Sequence, residues 1–217
     1  MQRKTIIIIS LAAATIIIAG LLLFFSDQED KAGSVKTESE RTVSVDEVVS
    51  EDAHFKGQAG APIVIVEFSD FQCPACRLEY PELKKLLAAN PQLIQLYYRH
   101  LPLPQHNRAK PAAAAAEAAG LQGKFWEMHD LLFENQSKLD DDNIRDYAKK
   151  LSLDLKKFEE DWSSAPIKEK IERDLKKASE LQLTSTPTVI INGKIFSQVL
   201  SFTELEKRIA SLVTDSK

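Results

Sequence analysis

A run of β-branched residues that ends in two cysteines constrains this chain more than any other feature. Pro62-Ile63-Val64-Ile65-Val66-Glu67-Phe68 is short and almost continuously apolar, the pattern of a strand buried on both faces of a sheet. Ser69 to Gln72 lead from it to Cys73-Pro74-Ala75-Cys76. Leu78, Leu83, Leu86 and Leu87 then carry a helix to Ala89, where Asn90-Pro91 stops it. Leu93 to Tyr98 is a second strand, and strand, helix and strand in this order predict a right-handed parallel unit.

The chain then changes character. Ala112 to Ala119, Lys124 to Asn135, Asp140 to Leu151, Asp154 to Ser163 and Pro166 to Leu181 each read as helices, separated by loop signals such as Gly120-Leu121-Gln122-Gly123. Strand chemistry returns at Thr186-Pro187-Thr188-Val189-Ile190-Ile191, and Asn192-Gly193 is a strong hairpin signal that pairs Lys194 to Phe196 back antiparallel. Ser201-Phe202-Thr203-Glu204 is a capping box that opens a last helix to about Val213. A strand-helix-strand half and a strand-strand-helix half, interrupted by helices over about residues 105–183, describe an α/β thioredoxin-like fold with an inserted helical subdomain. The expected domain spans residues 51–217.

Cys73 and Cys76 are the only cysteines in 217 residues, which excludes a disulfide-stapled scaffold and a zinc site of four thiolates. They stand where a strand turns into a helix, and a helix start offers unpaired N–H groups and partial positive charge that favour thiolate over thiol. Pro74 suits the first helical turn and pushes Cys73 into a cap-like position, so Cys73 is expected to be exposed and Cys76 less so. At this spacing the sulfurs can cycle between dithiol and disulfide. Each pKa unit by which the fold lowers Cys73 favours the reduced form by about 1.4 kcal/mol, which makes the disulfide more oxidising by about 30 mV.

Glu67 is an acid in an otherwise apolar strand. Buried behind a dithiol, it could take and return the proton of Cys76. Pro187, at the head of a strand, invites a cis bond from Thr186 and backbone pairing with an extended substrate. The candidate catalytic set is therefore Cys73, Cys76, Glu67 and Pro187, with Thr186, Pro187, Pro74 and Ala75 as the substrate-binding surface. No metal and no further cofactor is implied.

The other conspicuous residues carry plainer readings. Trp126, His129 and Phe133 have helical spacing and read as core packing, with His129 a candidate for the wet face. His100 and His106 flank a Pro-rich turn without a clear catalytic role. Asp140-Asp141-Asp142 is a helix start with favourable charges, and the alanine run after Pro111 implies close helix packing and nothing chemical. A net charge of -4 supplies no broad basic surface for nucleic acid.

Ahead of the domain, residues 5–25 are almost wholly apolar and long enough to span a bilayer, read here as a transmembrane anchor or uncleaved signal. Arg3 and Lys4 precede it, and Asp27, Glu29 and Asp30 follow, so residues 1–4 are expected in the cytosol and the body outside. Residues 26–50, with seven acids and three bases, read as a solvated tether.

Four segments together resemble the DsbA-like thiol:disulfide oxidoreductases: Glu67 to Cys76, Tyr98-Arg99-His100-Leu101-Pro102-Leu103 through His106, Gly123 to Asp130, and Thr186-Pro187-Thr188 with Asn192-Gly193-Lys194. The resemblance covers about Ala61 to Leu212. It implies a nucleophilic Cys73, a resolving Cys76, a cis-proline at Pro187 and an acid at Glu67. One departure stands out, because Pro74 and Ala75 lie between the cysteines without the histidine of the best-known oxidants. The function expected is disulfide formation in exported cysteine-containing proteins, by a monomer that a membrane redox partner recycles. The alternative is an extracytoplasmic thiol reductase for specific clients. A third reading, a metal-delivery protein binding copper or zinc through the two thiolates, suffers from a two-cysteine site with no further ligand.

Overall fold

A computed structural model describes residues 41–215. Five strands form one sheet in the order β1-β3-β2-β4-β5: β1 (His54–Gly57), β2 (Ile63–Ser69), β3 (Ile94–His100), β4 (Thr188–Ile191) and β5 (Lys194–Phe196). β2 and β3 run parallel, and the remaining pairs are antiparallel. The helices are α1 (Val45–Val48), α2 (Pro74–Ala89), α3 (Ala109–Gly120), α4 (Phe125–Glu134), α5 (Asp141–Lys150), α6 (Leu155–Trp162), α7 (Ala165–Glu180) and α8 (Phe202–Asp215). The thioredoxin-like sheet and the helical insertion expected from the sequence are both present, the insertion running from α3 to α7.

Alternation along β2 divides the core. Ile63 and Ile65 face α2 and α8, where they join Leu83, Leu86, Leu205 and Ile209. Val66 and Phe68 face the other way, against Leu101, Ala178 and Val48. Glu67 continues the Ile63–Ile65 series and therefore lies on the α2 side, opposite Tyr98 of β3 and Val189 of β4 in register. The insertion packs around a core shared with Phe71, Cys73, Cys76 and Tyr98, in which the small side chains of α3 let α4, α6 and α7 approach closely.

Two elements escaped the sequence pattern. β1 is an edge strand with the burial of only His54 intermediate and Phe55 45% exposed, so it shows no apolar alternation. The last residues of the segment expected as a tether, 26–50, are packed on the domain. Thr42 bridges Lys194, the Val43 amide donates to the Gly193 carbonyl at 2.9 Å, and Val48 is fully buried. Gly193 has φ +87 and packs against Val43, a contact that leaves no room for a side chain. The packed domain thus begins at Thr42 rather than at residue 51, because three valines close to the start of the domain outweigh the charge of the segment as a whole. The expected span at residues 5–25 lies outside the described residues. Among the described residues, no helix is long and apolar enough to cross a membrane.

Candidate active site

The turn between β2 and α2 is built by a buried acid. Asp70 accepts hydrogen bonds from the amides of Gln72 at 2.7 Å and Leu103 at 2.8 Å, and His106 Nδ1 lies 2.7 Å from its second oxygen. Gln136, from the segment after α4, donates to the carbonyls of Phe71 at 2.9 Å and Cys73 at 2.8 Å. The insertion is thereby latched to the cysteine turn. Neither role was visible in the sequence, since both depend on contacts across 30 or more residues.

Cys73 is the N-cap of α2, with extended φ and ψ of -74 and 121, and Pro74 opens the helix. Cys73 was expected to be exposed and is instead 6% exposed, because the loop before β4 closes over it. Its Sγ lies 3.4 Å from the Thr186 carbonyl oxygen. Cys76 is fully buried one turn into the helix. The two sulfurs are not bonded to each other.

The two sulfurs titrate apart. A hydrogen bond from the Cys76 thiol, against the cost of burial and with help from the Thr186 side chain and the amides of Cys76 and Ala75, draws Cys73 down to about 5. Burial, and then the neighbouring Cys73 sulfur, push Cys76 far above the ordinary thiol range. At neutral pH the site holds one thiolate and one thiol. The cap position that the sequence assigns to Cys73 therefore coincides with the ionised sulfur.

Glu67 is 2% exposed, and the charges of Glu67 and Cys76 both act on the buried Tyr98 between the strands and the helices. Burial raises the pKa of Glu67 to about 7, with the Ser69 side chain opposing. Its Oε1 has no partner within the protein. Glu79, which the sequence does not single out, is fully buried one turn after Cys76. Its Oε2 accepts from the Leu200 amide at 3.0 Å, and burial raises it to about 8, with the charge of Glu67 adding to the effect.

The Thr186–Pro187 peptide is cis, and both residues are buried, while Pro74 is exposed and Ala75 half-buried. Pro74, Ala75, Thr186 and Pro187 are thus brought to one rim around Cys73, although they are separated by more than 100 positions in the chain.

The histidines are structural in three of four cases. His100 Nε2 and His54 Nε2 lie 2.8 and 2.9 Å from the two oxygens of Glu117, which also pairs with Lys170 at 2.8 Å. Glu117 directly follows the five alanines read as packing, and the sequence reading did not single it out as a buried carboxylate tying α3 and α7 to the sheet edge. His106 braces Asp70. His129, a candidate for the wet face, is buried at 4% exposure among Phe71, Tyr80, Tyr98 and Trp126. Among the described residues, no three His, Cys, Asp or Glu side chains are placed to hold a metal ion.

A sequence profile described as thioredoxin matches residues 49–211. The chain belongs to the thioredoxin family. Within it, the chain is DsbA-like, as the four sequence segments imply. The structure resembles a thioredoxin-like oxidoreductase from Silicibacter pomeroyi at a TM-score of 0.73 and 24% identity, covering 79% of this chain and 99% of that one. It also resembles DsbA2 of Pseudomonas aeruginosa at a TM-score of 0.63 and 27% identity, covering 77% and 98%. In sequence, a Na(+)/H(+) antiporter NhaA 1 from Salinispora arenicola is 41% identical over 142 residues, which is 65% of this chain and 22% of the antiporter. The chain spans only about a fifth of the length of the curated relatives it matches.

Proposed function

We propose that this chain is a membrane-anchored thiol:disulfide oxidoreductase that forms disulfides in exported proteins through Cys73 and Cys76. The observation that carries the reading is the inequality of the two sulfurs, one ionised at a helix start, the other one turn inside the helix and protonated. In the oxidised protein a substrate thiolate attacks Cys73 Sγ and the Cys73–Cys76 bond breaks. Cys76 leaves as a thiolate and takes its proton from Glu67. The substrate's second thiolate then attacks its own sulfur in the mixed disulfide and expels Cys73, whose low pKa makes it a good leaving group. Two substrate thiols become a disulfide, and the protein retains two electrons for a membrane redox partner to remove.

Thr186, Pro187, Pro74 and Ala75 supply the surface on which an extended client pairs its backbone. Residues 5–25 anchor the chain with the domain on the extracytoplasmic side, supported by their length and apolarity and by the charges flanking them. The protein works as a monomer and without nucleic acid.

A second reading, a reductase for specific clients, is favoured by Ala75. It places no cation beside Cys73, so the thiolate rests on Cys76, the Thr186 side chain and backbone amides alone. Expression of Cys76→Ala in the native host tests the exchange chemistry: clients should be recovered as mixed disulfides on Cys73, and an absence of covalent adducts would contradict it. Equilibration with glutathione sets the direction. A potential near about -120 to -200 mV fits the oxidase, and one below about -250 mV fits the reductase.

A further inference from the structure

Between α2, α4 and the β1–β3 edge lies a cavity of about 410 Å³. Leu83, Leu96 and Trp126 give it apolar walls, and Glu67, Tyr80 and His129 supply polar ones. Two of these polar groups are buried acceptors without a partner in the protein, Glu67 Oε1 and His129 Nε2. His129 Nδ1 lies 3.0 Å from Asp130 Oδ1, which makes Nδ1 the protonated nitrogen and leaves the Nε2 lone pair free. Toward solvent the cavity is lined by Lys84 and Asp130, which form an ion pair at 3.0 Å with side chains 51% and 23% exposed.

Glu67, at 2% exposure, needs a route by which protons reach and leave it. A space of this volume holds several waters at about 30 Å³ each, and the two unpartnered acceptors are the polar contacts that ordered water requires. We propose that His129 is the station through which Glu67 exchanges its proton with solvent. His129 is then a positioning residue that acts through Glu67 and touches neither sulfur, and the inference rests on Glu67 serving Cys76 as proposed above.

The step moves one proton and no electrons. When Cys76 ionises to attack a mixed disulfide, its proton goes to the Glu67 carboxylate. The Glu67 acid then passes a proton through cavity water to His129 Nε2. The resulting imidazolium faces the Asp130 carboxylate and returns the proton to water at the Lys84 rim. The reverse sequence reprotonates Cys76 when the disulfide is opened by substrate. Burial holds His129 below the usual imidazole range, so it accepts only briefly. The groups that set its charge are Asp130 on α4, which favours the cation, and Lys56 on β1, Lys84 on α2 and His100 on β3, which oppose it when charged. Tyr80, Glu67 and Tyr98 complete the polar surroundings on α2, β2 and β3.

The test is the release of a small thiol from a mixed disulfide prepared on Cys73, followed from pH 4.5 to 9 in the full chain. The proteins compared are wild type, Glu67→Gln, His129→Phe and His129→Ala. His129→Phe keeps the aromatic packing and loses both nitrogens, and thermal unfolding of each variant reports whether it folds. The expected result for His129→Phe is release slowed about tenfold with a flattened pH profile and an unchanged ionisation midpoint for Cys73. Free imidazole should restore most of the rate to His129→Ala in a saturable way, an effect that a purely structural histidine would not show. Release by His129→Phe within twofold of wild type, while Glu67→Gln is slow, overturns the inference and leaves the role of Glu67 standing. Failure of imidazole to rescue a folded, slow His129→Ala also overturns it. An unimpaired Glu67→Gln removes the reading beneath it.

Discussion

Cys73 and Cys76 differ in one respect at the level of single side chains: the first can be held as an anion by donors around it, and the second cannot. The cap position of Cys73 was legible because the pair falls where a strand turns into a helix and Pro74 opens that helix, and a helix start has the same electrostatics in any protein. Glu67 was legible for a similar reason, since an acid inside a β-branched run is costly and invites a chemical explanation. Its charge state carries a stability consequence. The folded pKa near 7 lies above the ordinary carboxylate value of 4.5, so this contribution to stability is fully present below about 4.5 and is lost as pH rises through 7. Wild type should therefore lose about 3 kcal/mol relative to Glu67→Gln between pH 4.5 and 8 in denaturant unfolding of the reduced protein. Cys73 titrates in both proteins and cancels, whereas Glu79 loses the push of the Glu67 charge in the variant and cancels only in part. A constant difference across that range would show that Glu67 is ionised throughout.

Elements were legible where apolar periodicity was strong and failed where tertiary contacts decided. The five helices of the insertion appear within a few residues of their expected bounds, and Asp140 caps α5 by accepting from the Asn143 amide. The capping box at Ser201 closes as its motif requires, with Glu204 accepting from the Ser201 amide at 2.9 Å. β1 and α1 were not legible, and neither was the reason that α7 stays on the sheet. Asp174 of α7 is 5% exposed, accepts from Arg99 Nε and the His100 amide, both at 2.8 Å, and leaves Arg99 to donate to the Val48 carbonyl at 3.0 Å. One carboxylate thus joins α7, β3 and, through Arg99, α1. Asp174→Ala leaves a buried guanidinium without its counterion and should cost about 3–5 kcal/mol, seen as a large fall in Tm. Asp174→Asn, which can still accept from the His100 amide, should lose less. Equal, small effects of both changes would mean that Arg99 finds water instead.

At the scale of the whole molecule the sheet supplies the buried strands that place two cysteines, an acid and a cis-proline at one end, and the insertion covers that end with Gln136 and the α4 aromatics. The order of elements was enough to expect this arrangement. The residues that bind its parts together, Asp70, Glu79, Glu117 and Gln136, were hidden because each acts on a partner distant in the chain. The exchange chemistry depends on that assembly holding a single sulfur as an anion. The direct measurement is the pH dependence of Cys73 alkylation by iodoacetamide in the reduced domain, with Cys76 inaccessible through burial. The account predicts a midpoint at about 5 and full reactivity at neutral pH. A midpoint near 9, as for a free cysteine, would contradict it.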